Sequence, residues 1–318
     1  MTPSKSTLDR LPKALQGHWE AQRPRFEAMV RRQEDIPPEA VAMAVSLDGV
    51  MAPMQAGQRL APRPQARARG KAPSGPAGSQ EAGCATVSYD DRHGERLYPR
   101  RMARMPEPTT ATLQGQWTAE VMGALSRRPA LRVVTVADGA PDNWTSLRET
   151  LPVGIEGLDL YHAAEHLGAA LGAAYGQGTP LDQERVETLR TVLRDEPQGV
   201  DTVLGALCRL RTRYPRRQAI HTALAYFRDH RHRMGYADLR AQNLPMGSGV
   251  VEAACKTLVS QRLKRSGMRW RTAGGQAILT FRALCQRERF ERAWSLLGET
   301  YKQSVTLPRK VIALSAHR

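Results

Sequence analysis

Two nearly unbroken apolar runs constrain this chain more than any other feature. Val41 to Leu47 (VAMAVSL) and Leu131 to Ala137 (LRVVTVA) are each closed by an Asp-Gly pair, at Asp48-Gly49 and Asp138-Gly139. Runs without polar alternation suit strands buried on both faces, so they predict the centre of a sheet covered by helices. The expected fold class is therefore α/β. A hairpin is predicted over 84–89 and 96–99, around the turn-forming Asp90-Asp91-Arg92-His93-Gly94. A helix over 112–126 and a short strand ending at Leu158-Asp159 complete the sheet region.

Along the chain, residues 1–40 read as a helical N-terminal arm, with helices over 8–17 and 24–34. Residues 41–160 form the first part of the core. They are interrupted over 55–83 by a flexible basic loop in which Arg59, Arg63, Arg67, Arg69 and Lys71 meet no acid before Glu81. Residues 161–244 read as a helical insertion, punctuated at 176–180, 195–199 and 214–215. After the break Asn243-Leu244-Pro245-Met246-Gly247-Ser248-Gly249, residues 245–318 hold a helix over 250–265, with Ser248 as its expected cap, and a basic C-terminal extension.

Charge narrows the partners. Among 318 residues, 47 Lys and Arg stand against 31 Asp and Glu, a net +16 that favours a polyanion such as nucleic acid. The excess concentrates after residue 255, where fourteen basic residues face three glutamates. No run approaches the roughly 18 apolar residues of a membrane span, and the N-terminus lacks the apolar core of a signal peptide, so a soluble intracellular protein is expected. Cys84, Cys208, Cys255 and Cys285 are scattered without a C-x-x-C pair, which argues against a disulfide framework or a zinc finger.

Three constellations could carry chemistry. Parallel strands bring their carboxyl ends to one edge, where Asp48 and Asp138 can converge. Glu252, early in its helix, shares a face with Lys256, Val259 and Leu263 and so is expected to point toward the protein body. Three carboxylates of this kind suit Mg²⁺, and two such ions would clamp an in-line phosphodiester displacement. The plainer account is that Asp-Gly is a turn signal and Glu252 a helix-start acid.

The second constellation, His162, Glu165 and His166, matches H-x-x-E-H, in which two imidazoles one turn apart hold zinc in a peptidase. Ordinary helix packing explains the same residues. The third is the basic run from Gln261 to Arg271 around Trp270. It reads either as a nucleic-acid surface or as a solvated helix end with Trp270 in the core.

The segments SLDGVMAPM, ADGAPDNW, DLYHAAEHL and NLPMGSGVVEAACKTLVSQRLKRSGMRW, followed by GGQAILTFRAL and FERAW, closely resemble the ISKra-type insertion-sequence transposases, Mutator-like relatives within the DDE superfamily. The resemblance spans roughly residues 41–310. It implies an RNase H-like core sheet with a mostly helical insertion and a basic helical C-terminal extension. Asp48, Asp138 and Glu252 would be the catalytic acids holding two Mg²⁺ ions, for which Mn²⁺ can substitute. Asp159 and His162 would form an accessory D-x-x-H motif, and Arg269-Trp270 the R-W pair. Lys256, Arg262, Lys264, Arg265, Arg269 and Trp270 are the expected DNA contacts.

The implied function is DNA transposition of a bacterial mobile element at the nucleoid, by a homo-oligomer assembled on element ends and target. Such transposases usually carry a longer N-terminal region than the forty residues found here. The chain is therefore expected to be a shortened copy, with a catalytically idle DNA-binding remnant as the alternative.

Overall fold

The computed structural model describes residues 5–55, 78–286 and 289–304, and an open five-stranded mixed sheet organises them. Its strands are β1 (Ala40–Pro53), β2 (Ser79–Asp91), β3 (Arg96–Arg104), β4 (Arg132–Ala137) and β5 (Ile155–Leu158), in the order β3-β2-β1-β4-β5. β2 pairs antiparallel with both β1 and β3, whereas β4 pairs parallel with β1 and β5. The apolar runs at β1 and β4 thus sit side by side at the sheet centre, as their composition requires.

β1 is longer than its apolar run predicts. It continues through Asp48-Gly49 to Pro53, because β2 begins at Ser79 and supplies partners throughout, with Asp48 opposite Cys84 and Gly49 opposite Gly83. Asp48 is therefore inside a strand and not at its end, although it lies beyond the last parallel pair with β4, Val45 with Thr135. The same pairing converts Ser79–Gly83 from the expected loop into strand, and β3 runs on to Arg104 opposite Gly83. Residues 56–77, where most of the basic loop was expected, lie outside the described residues.

Helices cover both faces. On one side, α3 (Ala111–Arg127) buries Leu113, Trp117, Val121 and Ala124. That 3–4 residue spacing marks a single helical stripe. α4 (Pro141–Thr150), which the sequence reading missed, adds Trp144 and Leu147. Beyond β5 come α5 (Leu160–Tyr175), α6 (Pro180–Asp195), α7 (Gly199–Arg213), α8 (Gln218–His230) and the short α9 (Tyr236–Ala241). Their buried residues, among them Ala163, Leu167 and Phe227, join the sheet residues in one core.

On the other side, a helix over 249–263, α10, packs Val251, Ala254, Leu258, Val259 and Leu263 against Ala52, Met54, Cys84 and Ala103. Its middle, Cys255–Ser260, is a π-helical turn. The wider turn buries Cys255, Leu258 and Val259 together and leaves Glu252 and Lys256 exposed. Glu252 therefore does not share a buried face with Val259 and Leu263, as a regular helix predicts. Ser248 precedes α10 without capping its backbone.

The N-terminal arm is not free. Its helices, α1 (Lys5–Ala21) and α2 (Arg23–Arg32), contribute Trp19, Phe26 and Val30 to a third core. Leu284 of α11 (Thr272–Cys285) and Ala293, Leu296 and Leu297 of α12 (Phe290–Ser304) supply the rest. Among the described residues no helix is long and apolar enough to cross a membrane.

Candidate metal centre and its surroundings

Three parallel-paired strands deliver an aspartate to one edge. Asp48 follows the parallel segment of β1, Asp138 follows β4 and Asp159 follows β5. Side chains alternate along a strand, so Asp48 shares the face of Ala52 and Met54, the face that α10 covers. Its Oδ2 accepts the Cys255 thiol at 3.4 Å, and its Oδ1 accepts the Gly49 N–H at 2.7 Å. Burial raises the Asp48 carboxyl above its ordinary range and the charge of Asp138 adds to the rise, while the Gly49 N–H, the thiol and His162 pull the other way. The Cys255 thiol is driven far up by its hydrogen bond to Cys84, by burial and by Asp48, which keeps it a neutral donor.

Asp138 is fixed from its own loop. Its Oδ1 accepts the Ala140 N–H at 3.1 Å and the Asn143 side-chain amide at 3.0 Å, and its carbonyl accepts the Trp144 indole N–H at 2.6 Å. Arg233 lies over the Trp144 ring, 3.9 Å from its centroid, and donates to Glu156 at 2.8 Å. Arg233 also reaches His230 Nδ1 at 3.0 Å. A guanidinium can only donate, so Nδ1 accepts and the His230 proton resides on Nε2. That nitrogen faces Gly139, and a Cβ at position 139 would overlap the Tyr226 ring. The helical insertion thus forms a wall behind Asp138. The wall is electrostatically coupled to the site: burial raises the Tyr226 phenol, and Asp138, Asp159 and Glu165 raise it further.

Asp159 is fully buried and acts as a staple. It caps α5, its Oδ1 accepting the His162 N–H at 2.8 Å, while its Oδ2 accepts the Ser248 N–H. Leu160 N–H donates to Met246 O at 3.0 Å beside it. The start of α5 is thereby tied to the loop preceding α10. Ser248 Oγ completes the link by donating to Glu252 Oε1 at 3.1 Å.

One ligand atom from each of Asp159, His162 and Glu252 consequently lies within 4.8 Å of the others, a group that could hold a metal ion. Glu252 is exposed, so this group opens to solvent on one side. Asp159→Asn should expose how much depends on the staple, because an amide offers one accepting oxygen and turns a donor toward an N–H. A loss of about 2–3 kcal/mol in urea unfolding is expected. A loss below about 0.5 kcal/mol would show that the staple contributes little.

The sequence-predicted residues divide as follows. Asp48 lies within electrostatic reach of Asp138, and Glu252 gathers with Asp159 and His162. His166 is apart: it stacks on Tyr226 with centroids 3.8 Å apart, and burial, then His162, lowers its basicity. His162 and His166 therefore do not share one ligand group among the described residues.

Lys256, Arg262, Lys264, Arg265 and Arg269 are exposed. The last three border a groove with Met51, Pro53 and Met268. Trp270 is half-buried instead, packed on the α10 core, with its indole N–H given to Leu263 O at 3.0 Å and its backbone bridging Met54. Sequence reasoning missed Asn143, Trp144, Tyr226 and His230, and it gave Ser248 a capping role in place of its bond to Glu252. No protein-family model matches the chain, and no curated protein is significantly similar to it.

Chemically, carboxylates gathered with one imidazole and an open side suit binding of a metal ion. The raised Asp48 carboxyl comes first from burial, with the like charge of Asp138 adding to it.

Proposed function

We propose that this chain is a DDE transposase of the ISKra type, a metal-dependent enzyme that cuts and joins DNA strands on an RNase H-like core. One observation carries the reading: Asp48, Asp138 and the Glu252-bearing helix converge at a single sheet edge, cross-linked by the Cys255 thiol and the Asp159 staple. Asp48, Asp138 and Glu252 would hold two Mg²⁺ or Mn²⁺ ions. Such ions activate water and offset charge on the reacting phosphate.

The residues' own parts are positional. Asn143 and Trp144 hold Asp138 still, Cys255 orients Asp48, and Ser248 orients Glu252. His162 orients Glu252 or a scissile-strand phosphate. In the first step the water oxygen bonds to phosphorus and the strand's 3′-oxygen leaves, taking a proton. In the second the freed 3′-hydroxyl loses its proton, attacks a target phosphodiester and displaces another 3′-oxygen.

The zinc peptidase reading loses its footing because His166 is stacked on Tyr226. The idle-remnant reading differs only in cleavage, so DNA incubated with the full chain and Mg²⁺ or Mn²⁺ separates them. Metal-dependent nicking is expected, and binding without nicking would favour the remnant.

The exposed cations supply the grip. Affinity for DNA should fall by orders of magnitude between about 50 and 200 mM salt, as several phosphate contacts release counterions. Replacing Arg262, Lys264 and Arg265 together by Gln should flatten that slope and weaken binding to all sequences alike. A flat salt response of the unaltered chain, measured by fluorescence anisotropy, would remove the polyanion partner.

A further inference from the structure

Tyr161 stands between the Asp159 staple and His162, and among the described residues it is a large apolar side chain left open, with 62% of its surface exposed. Its ring is nevertheless held. A Cβ at Gly247 would lie 3.0 Å from Tyr161 Cε2 and 3.2 Å from Cδ2, so the ring rests directly on the Gly247 backbone. Both partners are pinned by their neighbours. Leu160 N–H donates to Met246 O at 3.0 Å, and the Asp159 carboxylate accepts the Ser248 N–H. Gly247 thus provides a close seat that a larger residue would fill.

A rigid aromatic of this kind, beside a carboxylate edge on a strongly basic chain, has one ligand chemistry that fits both features. Nucleobases are planar, they travel with phosphates, and they stack on tyrosine whatever their sequence. The faces of paired bases are already covered inside a duplex, so only an unpaired or terminal base can offer a free face. The Gly247 backbone against one edge of the ring restricts it before any ligand binds, which lowers the entropic cost of stacking.

We propose that Tyr161 is a stacking platform for an unpaired base of the strand held at the carboxylates. The proposal rests on the nucleic-acid reading given above and adds to it a single-stranded feature in the bound DNA. It also accounts for the glycine at 247, which the catalytic roles leave unexplained.

The test uses the full chain and a single-stranded oligonucleotide carrying 2-aminopurine, in Ca²⁺ to hold back cleavage. Stacking should quench the 2-aminopurine fluorescence on binding. Tyr161→Ala should abolish the quench and weaken affinity about tenfold, within the roughly 5- to 150-fold that one base stack is worth. Tyr161→Phe and Tyr161→Trp should keep both. If Tyr161→Ala binds and quenches like the unaltered chain, the platform is overturned while DNA binding stands. Loss in Tyr161→Phe equal to that in Tyr161→Ala would overturn it too, by making the hydroxyl the contact. Failure of the unaltered chain to bind the oligonucleotide while it binds duplex DNA would overturn the platform, and failure to bind either would bring down the nucleic-acid reading itself.

Discussion

Asp48→Asn is expected to lower metal-dependent DNA cleavage by about a thousandfold, while the metal-free protein becomes more stable at neutral pH. The activity loss follows from removing one anionic oxygen from the set that would hold the cations, whose charge stabilisation is worth several kcal/mol at about 1.4 kcal/mol per tenfold. The stability gain has a separate cause. Burial and the charge of Asp138 raise the Asp48 carboxyl above its ordinary 3.8, so the folded state binds that proton more tightly than the unfolded chain does.

A raised carboxyl favours folding at low pH, and stability falls as pH climbs from 3.8 through the folded value. At neutral pH the ionised Asp48 is therefore a cost, which asparagine removes. Adding Mg²⁺ should stabilise the unaltered chain by thermal melting and stabilise Asp48→Asn much less. Cleavage within tenfold of the original, or an equal Mg²⁺ shift in both proteins, would show that Asp48 is not a ligand.

The parts of this site legible in the sequence are those set by local pattern. An apolar run reports that a strand is central, and the polar residue that breaks it reports where backbone nears the sheet edge, so Asp138 and Asp159 could be placed from their runs. Asp48 was found for the same reason but given the wrong local structure. Whether Asp-Gly turns or continues depends on pairing with β2, and Ser79–Gly83 carry no apolar alternation to announce that partner.

Helix α10 shows a second limit. Periodicity located it, but the π-helical turn at Cys255–Ser260 shifts the phase of Val259 and Leu263 relative to Glu252, and no residue type marks such a turn. Asn143 had a local signal, five residues after Asp138 at a helix start, and Ser248 had one four residues before Glu252. Tyr226 and His230 had none. They reach the site only because α8 folds back on the Asp138-Gly139 loop.

The same limit hid a buried ion-pair cluster, which yields the largest expected effect on stability. Arg289 is 2% exposed, pairs through two nitrogens with Glu34, and donates to Glu120 at 2.8 and 3.1 Å. Arg100 joins them, 3.0 Å from Glu34 and 3.2 Å from Glu120. The cluster thus ties the residues after α2 to α3, β3 and the entry to α12, beside the third apolar core. Glu120 is buried and Glu34 partly so, and burying a charge without its partner costs far more than the pair contributes.

Arg289→Ala should therefore lower the unfolding free energy by about 3–5 kcal/mol in urea titrations. Arg100 remains to serve both glutamates, which favours the lower end of that range. Combining Arg289→Met with Glu34→Met should recover part of the loss, because Glu34 is no longer left without its partner, while Glu120 keeps only Arg100 and Arg31. The single variant should also admit protease to the N-terminal helices, whose Trp19, Phe26 and Val30 depend on α11 and α12 for cover. A single-variant loss below about 1 kcal/mol would mean that water reaches the glutamates and that the arm is held by its apolar contacts alone.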